Sequence, residues 1–145
     1  AQLSHVFIYN DLEVETTGNP LAHVVLRGSV NFHGQHFPNY HYEDLQRTLI
    51  AYKKRELVNP AIIIDTNHSN SAKNFKEQPR IVKEVIASCH FNSDLRSVIK
   101  GFMIESYLLE GAQDHMGTDY GRSITDPCLG WEDSFKLIMD IAESR

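Results

Sequence analysis

Asp65 and His68 stand three residues apart in "IIIDTNHSNS", directly behind three isoleucines. An imidazole there can ligate a metal, act as a general base or cap a following helix. Asp65 can orient His68 or a water as a supporting carboxylate. Glu105 follows the apolar run "GFMI". A carboxylate leaving so dry a segment needs a cation or a hydrogen-bond network, because burial of an unpaired charge is costly. A salt bridge to Arg27 and a divalent cation both meet that need. Asp126 precedes Pro127 in "GRSITDPCLGWED", where Asp is an ordinary turn former but also a further carboxylate. Neutral imidazole with carboxylates suits Mn²⁺, Fe²⁺, Co²⁺ or Zn²⁺. Arg122 and Ser123 are candidates for phosphate. His33, His36 and His41 in "NFHGQHFPNYH" are better read as a solvated loop than as a second metal site.

These residues need elements to hold them. "AHVVLRG" (22–28), "AIIIDTN" (61–67) and "IKGFMIES" (99–106) are near-continuous apolar runs. Such runs mark parallel strands covered on both faces. Helical patterns fill the gaps. One runs from Tyr42 to Leu57 with Leu45, Leu49, Ile50 and Leu57 on one face. A second runs from Ser71 to Cys89, with an apolar stripe of Val82, Val85 and Ile86 and a kink or restart at Pro79. A third starts at Trp131 with Phe135, Ile138, Met139 and Ala142 inward and Trp131 in the core. Strand–helix alternation predicts a parallel α/β fold, a doubly wound sheet or a barrel. Ligands then bind at the carboxyl ends of the strands, where Arg27, Asp65, His68 and Glu105 fall. Residues 5–17 read as a hairpin turning at Asn10-Asp11.

The 145 residues carry a formal net charge of -5 and are 41% hydrophobic, enough for one globular domain or part of a larger one. The acidic balance gives no electrostatic footprint for nucleic acid. No apolar run approaches the roughly 18 residues of a membrane span, and no secretory leader is visible. Cys89 and Cys128 have neither metal nor redox spacing and read as free thiols of a cytoplasmic protein.

Longer motifs add to this. "GNPLAHVVLRG", "FPNY", "IIIDTNHSNSAKNFKEQ", "GFMIESYLLEG" and "YGRSITDPCLGWED" resemble, in this order, the class I 3-deoxy-D-arabino-heptulosonate 7-phosphate (DAHP) synthases. These are the phospho-2-dehydro-3-deoxyheptonate aldolases of the shikimate pathway. The resemblance implies a (β/α)8 barrel that condenses phosphoenolpyruvate with erythrose 4-phosphate and water, giving DAHP and phosphate. It implies a divalent metal held by a Cys, a His, a Glu and an Asp; carried over by motif, the last three are His68, Glu105 and Asp126. Arg27 matches an arginine that binds phosphoenolpyruvate, and His68 and Asp65 are the catalytic candidates.

A whole barrel takes about 250 residues, so the resemblance covers the C-terminal part, strands six to eight. The hairpin at 5–17 matches an insertion before residues 22–145, which carry the βα units. The family's ligand Cys lies upstream, and neither Cys89 nor Cys128 matches it. The loop in "LRGSVNFHGQHFPNY" is longer than usual, and Tyr107 replaces His or Phe. The expected partners are the two small substrates and other copies of the protein, without nucleic acid or membrane. The chain alone is expected to be inactive. Two other readings remain open: a stand-alone metal- or phosphate-binding regulatory module, and a related synthase using phosphoenolpyruvate with another aldose.

Overall fold

The structure is a computed structural model, and it describes residues 1–144. Its centre is a three-stranded parallel sheet in the order β3 (Val24–Leu26), β6 (Ile62–Asp65), β7 (Ile99–Met103). β6 lies between the others because Ile62 and Ile64 are fully buried, and their β-branched side chains fit a covered pleat. Residues α1 (Tyr42–Lys53) and α2 (Gln78–Phe91) connect these strands, with a short α3 (Ser93–Val98) ahead of β7. Leu45 and Leu49 from α1, Ile81 and Val85 from α2, and Leu95 and Val98 from α3 close one core with Leu26, Ile62 and Ile64. Asn92 starts α3 by accepting N–H bonds from Asp94 and Leu95 at 2.9 and 3.3 Å.

Smaller elements surround this sheet. β1 (Val6–Tyr9) and β2 (Leu12–Glu15) form the expected hairpin, with Asn10 and Asp11 at φ 48° and 59°. Both turn residues are thus left-handed, as a tight hairpin turn demands. β4 (Ser29–Val30) pairs with β5 (His36–Phe37) in the long loop after β3. β8 (Leu109–Ala112) and β9 (Arg122–Ser123) form a parallel pair, and α4 (Trp131–Glu143) follows.

Several boundaries differ from the sequence reading. The first helix stops at Lys53, and Glu56 has φ 47°, so Leu57 lies beyond it; Ile50 is 51% exposed. The second does not begin at Ser71. Ala72 and Lys73 have φ 51° and 62°, which a continuing helix excludes. A 3₁₀ turn over Phe75–Glu77 leads into α2 instead. Pro79 sits in the first turn of α2, where its missing N–H costs nothing, so it causes no kink. Helix α4 is rotated from expectation. Ser134 and Leu137 are buried, whereas Trp131, Phe135, Ile138 and Met139 are exposed and Ala142 faces outward with them.

Candidate metal centre

The candidate residues gather beyond the carboxyl ends of the sheet strands. β6 delivers Asp65 as its last residue, with its side chain 1% exposed. Immediately after it the chain turns sharply, and His68 takes φ 36°. That left-handed conformation is uncommon for a residue with a Cβ. It folds the imidazole back over the strand end. His68 Nδ1 meets Asp65 Oδ2 at 2.7 Å, while Asp65 Oδ1 accepts the Asn67 N–H at 2.9 Å. A carboxylate only accepts, so Nδ1 carries a proton, which leaves Nε2 as the ring atom that would ligate a cation.

Nε2 faces two more carboxylates. Glu105 Oε1 lies 3.3 Å from His68 Nε2, and Asp126 Oδ2 lies 3.8 Å from it. One ligand atom from each of the three residues falls within 4.8 Å of the others. Asp126 is brought here by backbone pairing. The chain beyond β7 pairs with residues 128–129: Leu129 N–H donates to Glu105 O at 3.0 Å and Tyr107 N–H to Leu129 O at 2.8 Å. A further bridge joins Gly111 and Cys128.

Charge at the site is only partly balanced. Lys73 Nζ donates to Asp126 Oδ1 at 2.9 Å, and this bond holds the Asp126 carboxyl below the usual range, against the opposing effect of burial. Two acids and one neutral imidazole facing a common point are a suitable donor set for a borderline divalent cation. His68 Nε2 and the converging oxygens fit such an ion. Among the described residues this is the one such His/Cys/Asp/Glu group, so His33, His36 and His41 do not assemble another. Cys89 and Cys128 are free thiols outside this group, and burial pushes both thiol groups up.

Arg27 follows β3 and brings its Nε to 3.9 Å from Asp65 Oδ2, with its side chain 57% exposed. Its carboxylate partner is therefore Asp65, and the cross-strand pair Arg27–Glu105 is not formed. Gly28 follows at φ 70°, and a Cβ there would stand 2.8 Å from Phe37 O and 2.9 Å from Ser69 Cβ. The loop is tied down by Asn70, whose Nδ2 donates to Leu26 O at 3.0 Å and to Asp65 O at 2.7 Å. Asn70 thus fastens the ends of β3 and β6 to each other. Arg122 and Ser123 are occupied within their own loop. Arg122 bonds Asp119 and the Glu110 carbonyl, and Ser123 accepts from the Thr125 N–H.

Asn67 and Gln78 escaped the sequence reading, although both are fully buried around Glu105. One signal was available. Gln78 shares a helix face with Ile81, Val82 and Val85, a polar residue on an apolar stripe.

The DAHP synthetase I family model matches residues 1–138. A phospho-2-dehydro-3-deoxyheptonate aldolase of Haemophilus influenzae is 37% identical over 134 residues, covering 90% of this chain and 34% of that protein. The Trp-sensitive phospho-2-dehydro-3-deoxyheptonate aldolase of Escherichia coli K12 is 32% identical, covering 99% and 41% respectively. The solved phospho-2-dehydro-3-deoxyheptonate aldolase of Francisella tularensis superposes with a TM-score of 0.79 at 30% identity, over 99% of this chain and 41% of that one. The chain therefore spans about two fifths of the length of the relatives it matches. With a family match over nearly its whole length and the same fold as a solved relative, this chain belongs to the DAHP synthetase I family.

Proposed function

We propose that the protein to which this chain corresponds is a metal-dependent synthase of the shikimate pathway. It condenses phosphoenolpyruvate with erythrose 4-phosphate and water to DAHP and phosphate. The chain supplies the C-terminal part of its (β/α)8 barrel. The observation that carries this reading is the convergence of His68, Glu105 and Asp126 at the carboxyl ends of successive βα units, in a chain of this family. Three parallel strands with connecting helices and two open sheet edges are what a portion of a closed barrel would present.

His68 Nε2, Glu105 Oε1 and Asp126 Oδ2 would hold the cation, one of Mn²⁺, Fe²⁺, Co²⁺ or Zn²⁺. A divalent ion bound there supplies Lewis-acid polarisation of the aldehyde. Asp65 fixes the ring and tautomer of His68 through the Nδ1 bond. Arg27 offers a planar fork of N–H donors suited to the phosphate or carboxylate of phosphoenolpyruvate. Its solvent-exposed side chain, beside Asp65, leaves that fork accessible. Lys73 holds the Asp126 carboxyl below its usual range.

The test is a condensation assay on the full-length protein with Mn²⁺, phosphoenolpyruvate and erythrose 4-phosphate. His68→Ala, Glu105→Ala and Asp126→Ala should each remove nearly all turnover and Mn²⁺ binding. The purified 145-residue chain should be inactive. Retained turnover in the three variants would sink the metal-site reading. Preference for arabinose 5-phosphate would move the protein to a different aldose.

A further inference from the structure

Glu105 lies two residues beyond the last ladder position of β7. A carboxylate on such an extension would swing freely unless other groups fixed it. Two buried amides fix it here. Gln78, in the first turn of α2, reads the Glu105 backbone in both directions. Its Nε2 donates to Glu105 O at 2.9 Å, and its Oε1 accepts the Glu105 N–H at 2.9 Å. That pairing imitates a neighbouring strand where the sheet has ended. Thr66 donates to the same Oε1 at 2.9 Å, which sets the amide's orientation.

Asn67 fixes the side chain. Its Nδ2 donates to Glu105 Oε2 at 2.8 Å and approaches Pro127 O at 3.5 Å. Ser71 Oγ donates to Asn67 Oδ1 at 2.7 Å. Because the carboxylate only accepts, the amide nitrogen must face it, and the Ser71 hydroxyl satisfies the other end. One side chain therefore touches the carboxylate of Glu105 and the carbonyl beside Asp126, while its own backbone leads directly into His68. With Oε2 engaged by Asn67, Oε1 is the oxygen turned to His68 Nε2.

Resting on the metal-site reading above, we propose that Asn67 is a positioning residue of the cation site. It presets Glu105 to offer Oε1 alone and holds the three ligand-bearing segments in register, with Gln78 securing the backbone beneath. Asn67 touches neither the ion nor the substrates in this role.

The test uses the full-length protein and Mn²⁺ titration by calorimetry, with Co²⁺ visible absorption as the second readout. Loss of an outer hydrogen bond to a ligand costs about 10- to 100-fold in metal affinity. Asn67→Ala should weaken Mn²⁺ by that factor and alter the Co²⁺ spectrum, since Glu105 regains both oxygens. A merely structural role would lower the melting temperature and leave the Co²⁺ spectrum unchanged. Ser71→Ala keeps the amide but frees its orientation; it should give a smaller loss in the same direction and decides the matter should Asn67→Ala not fold. Unchanged Mn²⁺ affinity and Co²⁺ spectrum in a folded variant overturn the positioning role while wild-type binding stands. Absence of Mn²⁺ binding in the wild type, with His68→Ala indistinguishable from it, overturns the metal-site reading and this inference with it.

Discussion

Asp65→Asn exchanges one carboxylate oxygen for an NH₂ group and tests how the site is wired. In the wild type, Asp65 Oδ2 accepts the His68 Nδ1 proton at 2.7 Å and Oδ1 accepts the Asn67 N–H at 2.9 Å. An asparagine can keep only one of these bonds as it stands. If its oxygen stays on the Asn67 N–H, its NH₂ group faces Nδ1. Nδ1 must then accept, the imidazole proton moves to Nε2, and the lone pair aimed at Glu105 and Asp126 is lost. If the amide flips, His68 keeps its tautomer but the buried Asn67 N–H faces an NH₂ group. Either route costs a hydrogen bond to a charged acceptor, about 1.5–3 kcal/mol. At 1.4 kcal/mol per decade, the expected loss of Mn²⁺ affinity is about 10- to 100-fold. Folding should survive, because a neutral amide replaces a nearly fully buried carboxylate whose cation, Arg27, is largely exposed and 3.9 Å away. The assay is calorimetric Mn²⁺ titration of the full-length protein beside a thermal melt. A folded Asp65→Asn protein that binds Mn²⁺ within about twofold of wild type and also melts at the wild-type temperature would refute the wiring, since neither route then costs a bond.

Ile64→Ala empties a fully buried position in β6 and should cost about 2–5 kcal/mol in urea unfolding. Ile138→Ala, on the 58% exposed face of α4, should change the stability of the isolated chain by no more than about 0.5 kcal/mol; equal effects would contradict the burial assignment. Gly28→Ala places a Cβ 2.8 Å from Phe37 O at φ 70°, so a destabilisation of at least about 1–3 kcal/mol is expected, and a neutral result in chemical denaturation would refute the clash. Burial pushes the Cys89 thiol and the Tyr52 hydroxyl up. Groups raised in the folded state stabilise fully below their unfolded pKa, about 8.5 for Cys and 10 for Tyr, and lose that contribution as pH rises through the folded value. Unfolding free energy should therefore decline above about pH 8.5, with Cys89→Ala flattening part of the slope and Cys128 retaining some of it; a level profile would count against buried thiols.

Much of the molecule follows from short-range pattern. Three isoleucines in succession specify a sheet strand, although only Ile62 and Ile64 on one face are fully buried and Ile63 on the other is half-buried. The hairpin at Asn10-Asp11 follows from residues tolerant of positive φ. The approximate spans of α1, α2 and α4 follow from helical periodicity and end signals. The residues that converge were also legible. Asp65, His68, Glu105 and Asp126 are polar groups at or beyond the ends of apolar runs, or in the loop that follows them.

Other features needed the fold. Periodicity locates a helix but does not say which face meets the sheet. In α4 the core takes Ser134 and Leu137 while Trp131, Phe135 and Ile138 turn outward. The sheet and α2 offer space for only one face, and the chain spans two fifths of its relatives' length. The start of α2 was misplaced because positive φ at Ala72 and Lys73 depends on the loop's packing, which sequence spacing does not encode. Arg27 could be assigned a carboxylate partner but not the correct one, since Asp65 ends β6, which pairs directly with β3, whereas Glu105 follows β7 on the far side of β6, and strand order is not written in the sequence.

The sequence by itself singled out Asp65, His68, Glu105 and Asp126 as residues able to do chemistry, and the apolar runs that lead to them. The tertiary structure alone decided that Asn67 and Gln78 grip Glu105, that Lys73 grips Asp126, and that His68 turns its Nε2 toward both acids. The reason is physical: residue type sets what a side chain can donate or accept, but a hydrogen bond forms only where backbone turns and strand register bring partners within about 3 Å.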